Sequence, residues 1–302
     1  MGACGGGASP DARALLDETF GSHEPITSGR ISLRLALTAA GARQPPGEGL
    51  ALRLRGPFQS LGSTQLPRFA LQVDLRSPGV RAPGHVLHAG ATAIGGRLFI
   101  TLDGRHFLAP PAVAAALGRG YAAAAGGVPA HGSRPSLATF GLEPRAWLQH
   151  PRIAGSARVA GTDTTHILAG IDVARFLADM QKLRAAGVPL IAEGAEAFDA
   201  LSPALSSSVR SARADIYTGK TDHLLRRLVL SASIPPAAAA PTAALSGKLA
   251  GTALGGSRGA TLSLAIELAL LNQPQRILAP GHLQPLAQLP AELERLGLAP
   301  PG

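Results

Sequence analysis

The sequence has a single cysteine, Cys4, in 302 residues, so no disulfide can form within the chain and no CxxC zinc or redox site exists. Stability must therefore come from burial and backbone pairing. Aromatic residues make up only 4% of the chain, with one Trp and two Tyr. Lysine is also scarce, being confined to Lys182, Lys220 and Lys248. No run of about 18 uninterrupted apolar residues occurs, so no segment is long and apolar enough to span a bilayer as a helix. The start lacks the charged and apolar regions of a signal peptide, as expected of a precursor already trimmed there. There is no His-Glu-x-x-His and no Gly-x-x-x-x-Gly-Lys-Ser/Thr phosphate loop.

What is present is 46% apolar residues and a net charge of +9 carried almost entirely by arginine. Such a charge attracts nucleic acid or an anionic membrane surface. Against nucleic acid, the arginines are spread in ones and twos, Arg226-Arg227 being the one adjacent pair, and no aromatics interleave with them as a stacking platform. No nucleic-acid partner is expected.

Cys4 lies in Met-Gly-Ala-Cys-Gly-Gly-Gly-Ala-Ser-Pro. A small-small-Cys junction before a Gly/Ser run is what remains at the trimmed end of a bacterial lipoprotein, with the thiol as the lipidation site. The alternative is a chance cysteine in a disordered leader. Residues 1–8 read as a tether. Ser9, Pro10 and Asp11 then open a helix with Leu15, Leu16 and Phe20 on one side, ended by Gly21-Ser22.

Segments with period-two alternation follow, the pattern of strands with one buried face. They run through Ile31–Leu37, Leu50–Leu54, Phe69–Leu75, His85–Ile94, Leu98–Leu102 and His106–Leu108, with hairpin turns at Gly95-Gly96 and Asp103-Gly104. An Ala-rich helix opens at Pro110-Pro111, and Leu142–Gln149 reads as a short helix. A hairpin turned near Gly161–Asp163 joins residues 152–161 to 164–171. Asp172 then caps a helix whose Val173, Phe176, Leu177, Met180 and Leu183 form one apolar stripe, stopped by Gly187. A further helix is expected at Ala195–Val209, strands at Ala212–Tyr217 and Leu224–Ile234, a low-complexity loop at 235–243, and a hairpin of Leu245–Leu254 with Thr261–Leu270. Residues 272–302 read as a Pro/Leu-rich tail with a short helix at Ala291–Leu296. The order describes one α+β domain, 9–271, with helices gathered on one face of a large antiparallel sheet.

Few clusters suggest chemistry. The lone thiol sits in a floppy terminus, a poor place for a nucleophile that needs fixed geometry. His85 and His88 point to opposite faces of a strand and cannot chelate one ion without a bulge, even with His106 nearby. In Gly161-Thr162-Asp163-Thr164-Thr165-His166, Asp163 and His166 read either as an acid/base pair or as parts of a turn whose side chains bond the backbone. Neither a catalytic residue, a metal nor a cofactor is assigned, and no enzymatic activity is expected.

These residues together resemble the actinobacterial lipoproteins of the LppX/LprG type, within the LolA/LolB-like superfamily of lipoprotein and lipid carriers. The features that carry the resemblance are Cys4 with its tether, the first helix leading to Ser28-Gly29-Arg30, and the 161–166 hairpin running into the capped helix Asp172–Leu183. To them is added the turn Thr218-Gly219-Lys220-Thr221 before Leu224–Leu230. The resemblance covers most of residues 9–234 and implies a curved antiparallel sheet, a half-open barrel, with helices packed on its concave face. It implies an apolar cavity between sheet and helices, and binding or shuttling of a lipid, glycolipid or other acyl ligand.

The sequence supports that implication physically. Few, Ala-rich helices fill little volume beneath a large one-sided sheet, which leaves room for an apolar ligand. The expected lining is Leu33, Leu35, Leu52, Leu54, Phe69, Leu71, Val73, Leu98 and Ile100 from strands, with Phe176, Leu177 and Met180 from the striped helix. The alternative is a structural or sensory cell-envelope lipoprotein whose core is solid and whose surface docks a protein partner. Either form is expected on the outer face of the cell membrane, anchored through Cys4.

Overall fold

A computed structural model describes residues 11–21, 26–39, 50–62, 65–76, 86–126, 144–185, 209, 211–234 and 260–295. Twelve strands form one sheet in the order β12-β6-β5-β4-β3-β2-β1-β11-β10-β9-β8-β7. Its two ends, β12 and β7, do not pair with each other, so the sheet is an open half-barrel.

That order is two antiparallel meanders joined at one seam. From β1 (Ser28–Ala39) the chain steps outward through β2 (Leu50–Gln59), β3 (Arg68–Arg76), β4 (Val86–Ile94), β5 (Arg97–Leu102) and β6 (Arg105–Leu108). It then passes through α2 (Pro111–Gly126) and α3 (Pro144–Trp147) to the far edge. From there β7 (Leu148–Val159), β8 (Thr162–Ile171), β9 (Ser211–Gly219), β10 (Leu225–Ile234) and β11 (Ala260–Ala269) return inward, and β11 pairs with β1 from Arg30↔Ala269 to Ala39↔Ala260. The Gly95-Gly96 and Asp103-Gly104 turns have positive φ throughout, at 58° and 71° and at 45° and 80°. A two-residue turn of that kind matches strand twist, which is why Gly recurs there. The 161–166 hairpin turns one residue earlier than expected, at Ala160-Gly161, with φ of 47° and 84°.

Among the described residues the helices are α1 (Ala12–Gly21), α2, α3, α4 (Val173–Ala185) and α5 (Leu289–Arg295), the last preceded by a 3-10 turn, Leu286–Gln288. Asp172 caps α4 as expected, its Oδ1 accepting from the Arg175 N–H at 3.1 Å. The short helix expected over Leu142–Gln149 ends at Trp147, because Leu148 already pairs with Ile171 as the first residue of β7. In the C-terminal segment, β12 (Leu283–Gln284) pairs in parallel with β6, and Leu289 and Leu293 of α5 pack on buried Leu87, Leu102 and Phe107. Cys4, His85, the loop at 235–243 and the strand expected at Leu245–Leu254 lie outside the described residues, as does the helix expected at Ala195–Val209 except for Val209.

Candidate functional site

Register decides which side chains share a face, because neighbours across strands point the same way. Following the partners across the sheet gives a continuous apolar row: Ile153, Ile167, Ile216, Leu228, Ile266, Leu33, Leu54, Val73, Ala89, Leu102. A second row runs Ala169, Ala214, Leu230, Leu264, Leu35, Leu52, Leu75, Leu87. Among the described residues, the helix packing falls on this face. At one end α1 and α3 cover Ile167, Ala214, Ile216, Leu228 and Leu230 with Leu15, Leu16 and Trp147. At the other, Ala114 and Leu117 of α2 cover Ala93 and Leu98, beside the α5 contact on Leu87 and Leu102.

Burial along the rows is uneven. Ile167 and Ile216 are 0% exposed, and Leu102 is 5% exposed. Between those ends Leu33, Leu35, Leu52, Leu54, Leu71 and Val73, with Leu262, Leu264 and Ile266 of β11, are only half-buried. Along these two rows the middle is thus less covered than either end, while further along the same strands Ile234 and Ala260 are buried, with Leu37, Val209 and Leu262 packed on them.

The expected lining residues divide on this basis. All nine strand residues lie on the helix-bearing face. Leu33, Leu35, Leu52, Leu54, Leu71 and Val73 meet in the half-buried middle. Leu98 is buried, and Phe69 and Ile100 pack with it beneath α2. Phe176 packs edge-on against Trp147, ring centroids 5.2 Å apart, within the opposite cluster, and Leu177 is buried. The side chain of Met180 lies outside the described ones. Leu262, Leu264 and Ile266 are missing from the expected list. Their alternation was visible, but their place beside β1 depends on a pairing between strands at opposite ends of the chain.

The polar groups that could suggest chemistry pair with neighbours on the sheet. Asp163 and His166 do not meet: the Arg158 Nε donates to Asp163 Oδ1 at 3.1 Å across the hairpin, while His166 Nε2 is 2.8 Å from Asp215 Oδ1 and the ring stacks on Tyr217. His88 Nδ1 lies 2.9 Å from Asp74 Oδ1, and His106 Nδ1 lies 2.9 Å from Thr101 Oγ1. The residues Gly255-Gly256-Ser257-Arg258-Gly259 have Gly-x-Ser-x-Gly spacing. A nucleophile elbow needs a helix after it, and here the chain continues into strand β11.

These features define a class: an open half-barrel sheet with one polar face and one apolar face, the latter covered by helices at its ends and less so at its middle. No family model matches the sequence, and no curated protein matches it. Among solved structures the chain is similar to LprF from Mycobacterium bovis, with a TM-score of 0.40 and 14% identity over 91% of this chain and 99% of that one. It is also similar to the Mycobacterium tuberculosis lipoprotein LppX, with a TM-score of 0.38 and 11% identity over 88% of this chain and 98% of that one.

Proposed function

We propose that this protein is an extracytoplasmic lipoprotein, held at the outer face of the cell membrane through Cys4, that binds an acyl ligand over the middle of its apolar sheet face. The observation that carries this reading is the half-buried patch of Leu33, Leu35, Leu52, Leu54, Leu71 and Val73, set between buried residues of the same face, Ile167 and Ile216 on one side and Leu87 and Leu102 on the other. Apolar surface left half-wet gains about 25 cal/mol for each Å² that a ligand removes from water. A lipid, glycolipid or lipidated peptide supplies such surface in a shape that follows a row of leucines across strands. The role is binding and carriage rather than catalysis: Asp163, His166 and His88, the residues that could suggest chemistry, are each engaged with another side chain of the sheet.

Native mass spectrometry of protein isolated from its own envelope, before and after organic extraction, tests the ligand. The expected result is a co-purifying acyl species that extraction removes, with restored binding of a fluorescent fatty acid. Failure of both would leave the solid-core reading, a lipoprotein that docks a partner protein. Anchoring is tested separately by Cys4→Ser in a host that lipidates exported proteins: the variant is expected in the soluble fraction, the parent in the membrane fraction.

A further inference from the structure

On the opposite face of the sheet, which also carries Asp74, Asp215 and Glu267, arginines of neighbouring strands come together. Arg34 of β1 stands directly across from Arg53 of β2, whose next neighbour is Asp74 of β3 and then His88 of β4. Asp74 is already engaged by His88 and, at 3.7 Å, by Arg55. Among the described residues no carboxylate pairs with Arg34, Arg53 or Arg76, and all three are exposed. Two like charges placed directly opposite on neighbouring strands destabilise a sheet, so folding gains nothing from this arrangement. The same arginines line a shallow depression of about 430 Å³ with Asp74 and His88. It adjoins a second of about 720 Å³ that takes in Arg55, Gln72 and Thr101.

We propose that this face is a docking surface for an anionic bilayer, with the uncompensated arginines seated among phosphate headgroups. Charge complementarity selects the occupant. A guanidinium binds phosphate oxygens through two parallel donors, and a broad sheet face meets a lipid surface at several points at once. Nucleic acid fits less well, because β1, β2 and β3 present no aromatic side chain on this face for a base to stack on. The surface is distinct from the apolar patch, which lies on the other side of the same strands, and does not depend on it.

The test is cosedimentation of the full, unacylated chain with vesicles of phosphatidylcholine, with and without phosphatidylglycerol. Binding is expected only to the anionic vesicles and should fall as salt is raised. The double variant Arg34→Gln/Arg53→Gln should bind about 30-fold more weakly. Arg13→Gln/Arg119→Gln removes the same charge from exposed positions of α1 and α2 and should leave binding within about threefold of the parent. The first double variant should unfold at or above the parent's temperature, since it removes a like-charge pair, so a loss of binding is not a loss of fold. Equal weakening in both double variants would overturn the proposal by reducing it to net charge. So would equal binding to neutral vesicles, or tighter binding of a DNA duplex than of anionic vesicles at the same salt.

Discussion

Gly56 has no room for a side chain: a Cβ built there would lie 1.9 Å from the carbonyl oxygen of Ala70 on the neighbouring strand. Backbone cannot swing aside as a side-chain tip can, so Gly56→Ala must push β2 and β3 apart at their middle. We expect a loss of about 2 kcal/mol, read as a lower denaturant midpoint with an unchanged slope. A loss under about 0.5 kcal/mol would mean the strands part there freely. At this scale turn chemistry was the most legible part of the sequence, because Gly95-Gly96 and Asp103-Gly104 act through local backbone geometry. Asp163 and His166 were harder. Three residues apart on a strand they face opposite ways, and their partners, Arg158 across the hairpin and Asp215 on β9, are known only once the register is.

Elements whose signals are local were read from the sequence, and those completed by distant packing were not. The stripe and cap of α4 are a local pattern. The cap contributes about 1 kcal/mol, and Asp172→Ala should lower the unfolding midpoint by that amount, while Asp172→Asn restores most of it. An undiminished midpoint in the Ala variant would show that Gln149, whose amide lies 3.4 Å from Asp172 Oδ2, holds the residue for another reason. α5 shows the other case. Its Glu292 is 3% exposed and meets Arg105 of β6 and Arg295 of its own next turn. That hydrogen bond to Glu292 is the main reason the Arg295 guanidinium is held above its ordinary pKa. A carboxylate in a Pro/Leu-rich segment carries no hint of an arginine nearly 190 positions upstream. β11 is similar, since alternation marked it as a strand while its seat beside β1 rests on contact between the two meanders.

For the whole molecule, the joining of two meanders places the seam, β1 against β11, in the middle of the sheet, where the two long apolar rows are less covered than toward either end. Stability and ligand binding should therefore reside in different residues of the same apolar row. Ile216 is 0% exposed between Ile167 and Leu228, so Ile216→Ala leaves a cavity and should cost about 2–5 kcal/mol. Leu54, between Leu33 and Val73 in that row, is half-buried, and Leu54→Ala should cost about 1 kcal/mol. Acyl binding should respond in the reverse order. Leu33→Ala/Leu54→Ala removes apolar contact from the seam and should weaken a fluorescent fatty acid about tenfold. The milder Ile216→Val, which stays folded, should leave that affinity unchanged. If Leu54→Ala instead destabilises as strongly as Ile216→Ala and acyl affinity is indifferent to both seam leucines, the middle of the sheet is ordinary core, and the apolar row serves folding along its whole length.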